Sequence, residues 1–232
     1  MNLDDLMQRA DVWRGGRASP LSGLASGYPA LDAALNGGWP QGSLIEILID
    51  RAGIGELRLL LPTLARLTHE ERWVTFVAPP YIPYAPALKR GGVNLDHVLL
   101  VHPRERTDAL WAVEQTLRSG TCGAVLAWLN DADSQSLRRL QLAAEAGNSL
   151  GILFRRANAA EHSSPAAVRL KLMPAHDAAR RLSIEVLKRR GGWPTGPVAL
   201  EVNHALARSL FPQPATRGLH ARQRADAPAH RL

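Results

Sequence analysis

Residues 44–58 read LIEILIDRAGIGELR, and this stretch decides the fold. Its first six residues are apolar except for Glu46, and such a run is typical of a buried strand. Two glycines, Gly53 and Gly55, follow in a short turn, and helical spacing of apolar residues begins at Glu56. Strand, glycine turn and helix in this order have the geometry of a phosphate-binding loop.

The residues that a phosphate-binding loop needs are missing from this turn. Such a loop uses a lysine to reach the terminal phosphates and a serine or threonine to bind Mg²⁺. After Gly55 the chain has Glu56 and Leu57 instead. A carboxylate repels a triphosphate, and a leucine cannot ligate magnesium. We therefore expect Gly53 and Gly55 to shape a tight turn, with nucleotide binding as the alternative.

The rest of the chain alternates apolar runs with helical patterns. Strands are predicted at 44–49, 73–78, 97–101, 123–128 and 150–154, and helices at 29–35, 56–69, 84–90, 107–119 and 134–146. This alternation favours a parallel sheet covered on both faces. After residue 166 the apolar period changes to two, which predicts antiparallel strands at 168–173, 181–189 and 197–202.

These patterns divide the chain into three parts. Residues 1–22 are predicted to form an N-terminal helix and linker, and residues 23–205 the folded core. Residues 206–232 are basic and have no apolar periodicity, which indicates a disordered tail.

Residues 26–47, SGYPALDAALNGGWPQGSLIEI, resemble the segment that leads into the Walker A loop of the RecA ATPase core. The resemblance implies an α/β fold with a RecA-like P-loop NTPase core, a mainly parallel sheet flanked by helices and a C-terminal antiparallel extension. It places Pro80 where RecA has its catalytic glutamate and Trp128 where RecA has its Walker B aspartate. Asp131 and Asp133 come after this strand and are predicted to cap the next helix. Only Tyr84, at RecA's adenine-stacking position, supports ATP binding.

The absence of all four catalytic groups implies a degenerate P-loop ATPase, so we expect no enzyme activity and no cofactor. Residues 37–40 (GGWP), 55–61 (GELRLLL) and 187–192 (LKRRGG) resemble the ImuA family of bacterial mutagenesis cassettes. That resemblance implies a non-catalytic accessory protein of SOS-induced translesion DNA synthesis. Its implied partners are an ImuB-like relative of Y-family polymerases, RecA and an error-prone C-family polymerase subunit. Related sequences are also described as SulA-like inhibitors of cell division, so the alternatives are an SOS division inhibitor and a weak ATP-binding modulator of RecA.

The charge of the chain is concentrated in its last third. Residues 1–154 carry 14 Lys and Arg against 16 Asp and Glu, and residues 155–232 carry 14 against 5, which together give the net charge of +7. This asymmetry favours an anionic partner such as non-specific DNA. The alternative is that the basic residues protect an edge strand from aggregation. The candidate DNA or partner contacts are Arg155, Arg156, Arg169, Lys171, Arg180, Arg181, Lys188, Arg189, Arg190 and Trp193.

The composition argues against several other classes of protein. A single cysteine, Cys122, excludes an internal disulfide framework and fits a reducing cytoplasm. No apolar run is long enough to cross a bilayer, and the N-terminus has acids where a signal peptide has basic residues, so we expect a cytoplasmic protein without a membrane partner. The eight histidines show no pair at the helical spacing of metal ligands, so we predict no metal site.

Overall fold

The computed structural model of the chain describes residues 23–175, 181–189 and 195–202. The predicted N-terminal helix and linker and the predicted tail lie outside these residues. Three of the candidate contacts, Arg180, Arg190 and Trp193, also lie outside them.

The described residues form ten strands, five α-helices and two short 3-10 helices. The strands are β1 (Gly23–Leu24), β2 (Trp39–Pro40), β3 (Leu44–Ile49), β4 (Trp73–Val77), β5 (Val98–Val101), β6 (Cys122–Trp128), β7 (Leu150–Arg156), β8 (Val168–Pro174), β9 (Arg181–Lys188) and β10 (Thr195–Glu201). The α-helices are α1 (Pro29–Leu35), α2 (Glu56–His69), α3 (Ala85–Arg90), α4 (Arg106–Arg118) and α5 (Ser134–Gly147). The 3-10 helices are Leu95–His97 and Ala157–Glu161.

Eight of the strands form one mixed sheet in the order β10-β9-β8-β3-β7-β6-β4-β5. The six strands from β8 to β5 in this order run parallel to their neighbours. Strands β9 and β10 are added antiparallel to β8. Because β3 lies between β7 and β8, it is central and every one of its residues is buried.

Helices cover both faces of this sheet. Alternate residues of β3, among them Ile45 and Ile47, pack in one apolar cluster with buried leucines of α2 and with Leu88 of α3. Leu44 instead belongs to a second cluster with residues of α4 and α5, such as Val113 and Leu140. A parallel sheet that is covered twice explains why its strands appear in the sequence as continuous apolar runs.

The segment ahead of β3 is fixed against α2 by two buried aromatic residues. The Tyr28 hydroxyl donates to the Arg58 carbonyl at 3.2 Å, and the Trp39 indole nitrogen donates to Thr63 Oγ1 at 3.0 Å. Burial raises the pKa of Tyr28 to about 12. Tyr28 and Trp39, two of the residues in the segment 26–47 that resembles RecA, therefore pack this segment against α2.

The structure confirms the predicted strands and helices within the described residues, with boundaries that differ by at most two residues. The predicted helix cap is also confirmed at Asp133, whose carboxylate accepts a hydrogen bond from the Ser136 amide at 2.7 Å. That bond is the main reason why the pKa of Asp133 is lowered.

The predicted RecA-like P-loop NTPase core is wrong. The structure is a mixed sheet with helices, and the turn after β3 does not form a phosphate-binding loop. The amide groups that would hold phosphate in such a loop are bound to a carboxylate of the chain itself, Glu56.

Candidate functional site

The carboxyl ends of the parallel strands form the edge at which open α/β sheets usually bind their ligands. Four loops meet there, at 50–55 after β3, 78–84 after β4, 102–105 after β5 and 129–133 after β6. The candidate positions Glu56, Pro80 and Trp128 all lie in or next to these loops.

Glu56, the first residue of α2, fills the turn that precedes it. Its Oε1 accepts a hydrogen bond from the Gly53 amide at 2.8 Å, and its Oε2 accepts one from the Gly55 amide at 3.0 Å. Gly53 and Gly55 have φ angles of 87° and 113°, which glycine adopts at no steric cost. The prediction that these glycines shape a tight turn is confirmed. The carboxylate occupies the position at the helix N-terminus that a phosphate would take.

We expect Glu56→Ala to lower the free energy of unfolding by about 1–3 kcal/mol, because two amides lose a charged acceptor. Glu56→Gln should lose about half as much, since its side chain keeps one acceptor oxygen. Urea unfolding measures both changes. Glu161→Ala, which truncates an exposed glutamate, is the matched control and should stay within about 0.5 kcal/mol of the parent chain. An unchanged Glu56→Ala protein would show that the turn does not depend on this carboxylate.

Trp128, at the end of β6, is part of an aromatic stack. Its ring lies 4.5 Å from the ring of Phe154 at an interplanar angle of 20°, and 6.5 Å from that of Phe76 at 16°. Its buried indole nitrogen has no hydrogen-bond partner among the described residues. At the position where the resemblance implied a lost metal-associated aspartate, the chain therefore has an apolar stack.

Two of the candidate arginines are buried against Glu46 of β3, whose side chain is fully buried. Arg155 Nη1 lies 2.5 Å from Glu46 Oε1, and Arg169 Nε lies 2.6 Å from Oε2. Arg169 also donates to the carbonyls of Ala159 and His162, at 2.6 and 2.8 Å. The structure thus uses both guanidinium groups inside the protein, where they hold β7, β8 and the 3-10 helix to β3.

The other described members of the predicted basic patch lie on β7, β8 and β9 or next to them. Lys188 donates to the Ser164 carbonyl at 2.7 Å, and partial burial of the ammonium, together with the nearby Arg169, lowers its pKa. Arg189 donates to the Ala34 carbonyl at 2.9 Å. Arg156, at the end of β7, and Arg181, at the start of β9, are exposed, and Lys171 is half-buried. Glu46, which pairs with Arg155 and Arg169, was not predicted from the sequence.

The loop after β4 presents the most exposed apolar side chains of the described residues. Tyr81 and Ile82 are each 76% exposed, and Tyr84 is 68% exposed. Sequence reasoning used Tyr84 only as a position of possible nucleotide stacking and missed the other two. The run PPYIPY at 79–84 could have indicated this exposed surface, because its large apolar side chains are interspersed with prolines and lie outside any strand or helix.

A pocket of about 310 Å³ lies between the carboxyl ends of β4, β5 and β6. Residues of both charges line it, including Arg104, Glu105 and Asp131. The Arg106 guanidinium donates to the Asp131 carbonyl and so joins two of the loops that form the wall.

Within residues 23–175, 181–189 and 195–202, no group of three His, Cys, Asp or Glu side chains could hold a metal ion. None of the helices described is both long and apolar enough to cross a membrane.

Comparison with known proteins gives one consistent family. The family model described as "Cell division inhibitor SulA" matches residues 43–151. The chain is similar to the cell division inhibitor SulA of Photorhabdus laumondii, with 32% identity over 119 residues, which are 51% of this chain and 67% of that protein. It is 35% identical over 116 residues to SulA of Edwardsiella piscicida, which covers 50% of this chain and 69% of that protein. The crystal structure of SulA from Pseudomonas aeruginosa matches with 29% identity and a TM-score of 0.41, and the match covers 48% of this chain and 97% of that chain.

The fold and the filled turn define an α/β protein whose phosphate-loop position is closed by its own carboxylate. The chain belongs to the SulA family of cell division inhibitors. The predicted ImuA family membership is therefore wrong, and so is the main prediction of a translesion synthesis factor. The same finding overturns the predicted partners, namely an ImuB-like polymerase relative, RecA, a C-family polymerase subunit and non-specific DNA. The alternative of an SOS division inhibitor is the one that the comparisons support.

Proposed function

We propose that the chain is an SOS-induced inhibitor of cell division that acts in the cytoplasm by binding the division protein FtsZ. The observation that carries the proposal is the similarity to SulA proteins over residues 43–151, a segment that runs from the start of β3 to the start of β7. Two relatives described as cell division inhibitor SulA share 32% and 35% identity with the chain over about half its length.

We propose further that inhibition is stoichiometric and involves no ATP hydrolysis by the chain. Two contacts support this. The carboxylate of Glu56 holds the Gly53 and Gly55 amides, so a triphosphate would have to displace a bound negative charge. Trp128 fills the end of β6 with an aromatic ring where a magnesium-binding site would need an oxygen ligand.

Induced expression in a bacterium that lacks its own SulA and its mutagenesis cassette tests the proposal. We expect cells to stop dividing and grow as filaments, because free FtsZ is bound as the chain accumulates. Glu46→Ala, which is expected to lower the free energy of unfolding, should give shorter filaments at matched expression. Cells of normal length at a chain level equal to that of FtsZ would contradict the proposal.

A further inference from the structure

We propose that the loop at residues 79–84 is the docking surface of this chain, and that it inserts into an apolar groove bordered by carboxylates on the division protein. This inference rests on the proposed function and adds to it the surface and the chemistry of the partner site. It is carried by the exposure, the backbone and the charge of the loop.

The loop brings together the three most exposed large apolar side chains of the described residues. Tyr81 and Ile82 leave about three quarters of their surface in contact with solvent, and the neighbouring Tyr84 leaves about two thirds. Three large apolar side chains within four residues form a cluster, whereas single exposed apolar residues are common. Tyrosine is also one of the residues most often found at the energetic centre of protein interfaces.

The backbone of the loop is restrained before any partner binds. Prolines at 79, 80 and 83 fix three φ angles. The loop leaves β4 at Ala78, whose φ of 50° is unusual for a residue other than glycine, and the Ala78 amide donates to the Val101 carbonyl at 3.0 Å. A loop that is already ordered loses little conformational entropy on docking, so more of its contact energy appears as affinity.

The charge around the loop selects an acidic partner surface. Residues 78–95 contain no carboxylate, and the charged residues among them are Lys89 and Arg90. Both lie exposed in the last turn of α3, the helix that follows the loop. A surface with apolar side chains beside a net charge of +2 is complementary to an apolar groove with a carboxylate rim.

Titration of purified division protein with the full chain, followed by calorimetry, tests this surface. We expect the double variant Tyr81→Ala/Ile82→Ala to raise the Kd at least about 30-fold, the effect of losing interface anchors. Both side chains are exposed, so the variant should keep the parent's circular dichroism and unfolding midpoint. Trp111→Ala is the matched control, because Trp111 is 63% exposed but belongs to α4, outside the loop and in the apolar cluster on the other face of the sheet from α3. Its Kd should be unchanged.

Arg90→Glu tests the electrostatic part separately. We expect it to raise the Kd by about 10-fold at low salt, mainly through slower association, and to flatten the salt dependence of binding. A Tyr81→Ala/Ile82→Ala variant that binds like the parent chain would overturn the proposed surface and leave the proposed function standing. A parent chain that does not bind the division protein would overturn both. A loop that instead mediates self-association, seen as a dimer in the parent and a monomer in the variant with unchanged partner binding, would also overturn the proposal.

Discussion

Replacing Glu46 with alanine is expected to lower the free energy of unfolding by about 3–5 kcal/mol. The side chain of Glu46 is fully buried and accepts hydrogen bonds from Arg155 at 2.5 Å and from Arg169 at 2.6 Å. Removing the carboxylate leaves two largely buried guanidinium groups without their anion. The loss therefore comes from uncompensated buried charge rather than from the pair's own attraction.

Glu70→Ala is the matched control for this prediction. Glu70 forms a pair with Arg66 at 2.8 Å, but both side chains are nearly half exposed. Exposed pairs contribute only about 0–1 kcal/mol, since water and salt screen them. Guanidinium unfolding of both variants measures the difference. Equal decreases in the free energy of unfolding for the two variants would show that the buried ion pairs of Glu46 do not stabilise the sheet as the geometry indicates.

Replacing Trp128 with alanine is expected to lower the free energy of unfolding by about 2–3 kcal/mol, less than for a fully buried aromatic ring, because Trp128 is half-buried. The ring stacks on Phe76 and Phe154 and lines the pocket at the carboxyl ends of β4, β5 and β6, so its removal loses the stack and enlarges that pocket. Trp128→Phe should cost much less, because it keeps a stacked ring and removes the indole nitrogen that has no partner among the described residues. Trp128→Asp should be the most damaging of the three changes, because it removes the stacked ring and places a carboxylate beside Phe76 and Phe154.

Thermal and urea unfolding of the three Trp128 variants gives this ranking directly. Trp111→Ala is the control, because its ring is 63% exposed and its loss should change stability by no more than about 0.5 kcal/mol. A Trp128→Asp protein as stable as the parent would mean that this strand end still tolerates the carboxylate of a metal site.

Local features of the fold could be predicted from the sequence because they depend on neighbouring residues. The run LIEILI predicts β3, and the change of period after residue 166 predicts the antiparallel strands. The cap at Asp133 depends on an amide only three residues away. Long-range pairing is different. Arg155 and Arg169 are 109 and 123 residues from Glu46, so no local pattern could show that they are buried together.

Only one of two features of the turn after β3 could be predicted from the sequence. The absence of lysine and hydroxyl after Gly55 indicates that the phosphate chemistry is missing. The positive role of Glu56, which closes the turn by accepting two amide hydrogen bonds, needs the backbone geometry. The negative charge of Glu56 and its internal hydrogen bonds both predict that the turn does not bind nucleotide. Only the hydrogen bonds explain why this carboxylate is buried.

The family predicted from the sequence is wrong because most of the motifs that support it lie outside the segment that matches SulA. Of the three stretches that resemble the ImuA family, 37–40 and 187–192 fall outside the segment that matches SulA, and only 55–61 falls within it. Trp39 is fully buried in the packing of β2 against α2, so its motif reflects structure rather than a partner.

The exposed loop at 79–84 was missed because its prolines gave no strand or helix pattern.

The most direct test of the account is the assembly of purified FtsZ with GTP, followed by light scattering while the purified chain is added without ATP. We expect polymer to fall in proportion to the chain added and to approach zero once the chain is in molar excess. Polymer that stays constant at every chain concentration would contradict the account, and so would inhibition that requires ATP hydrolysis by the chain.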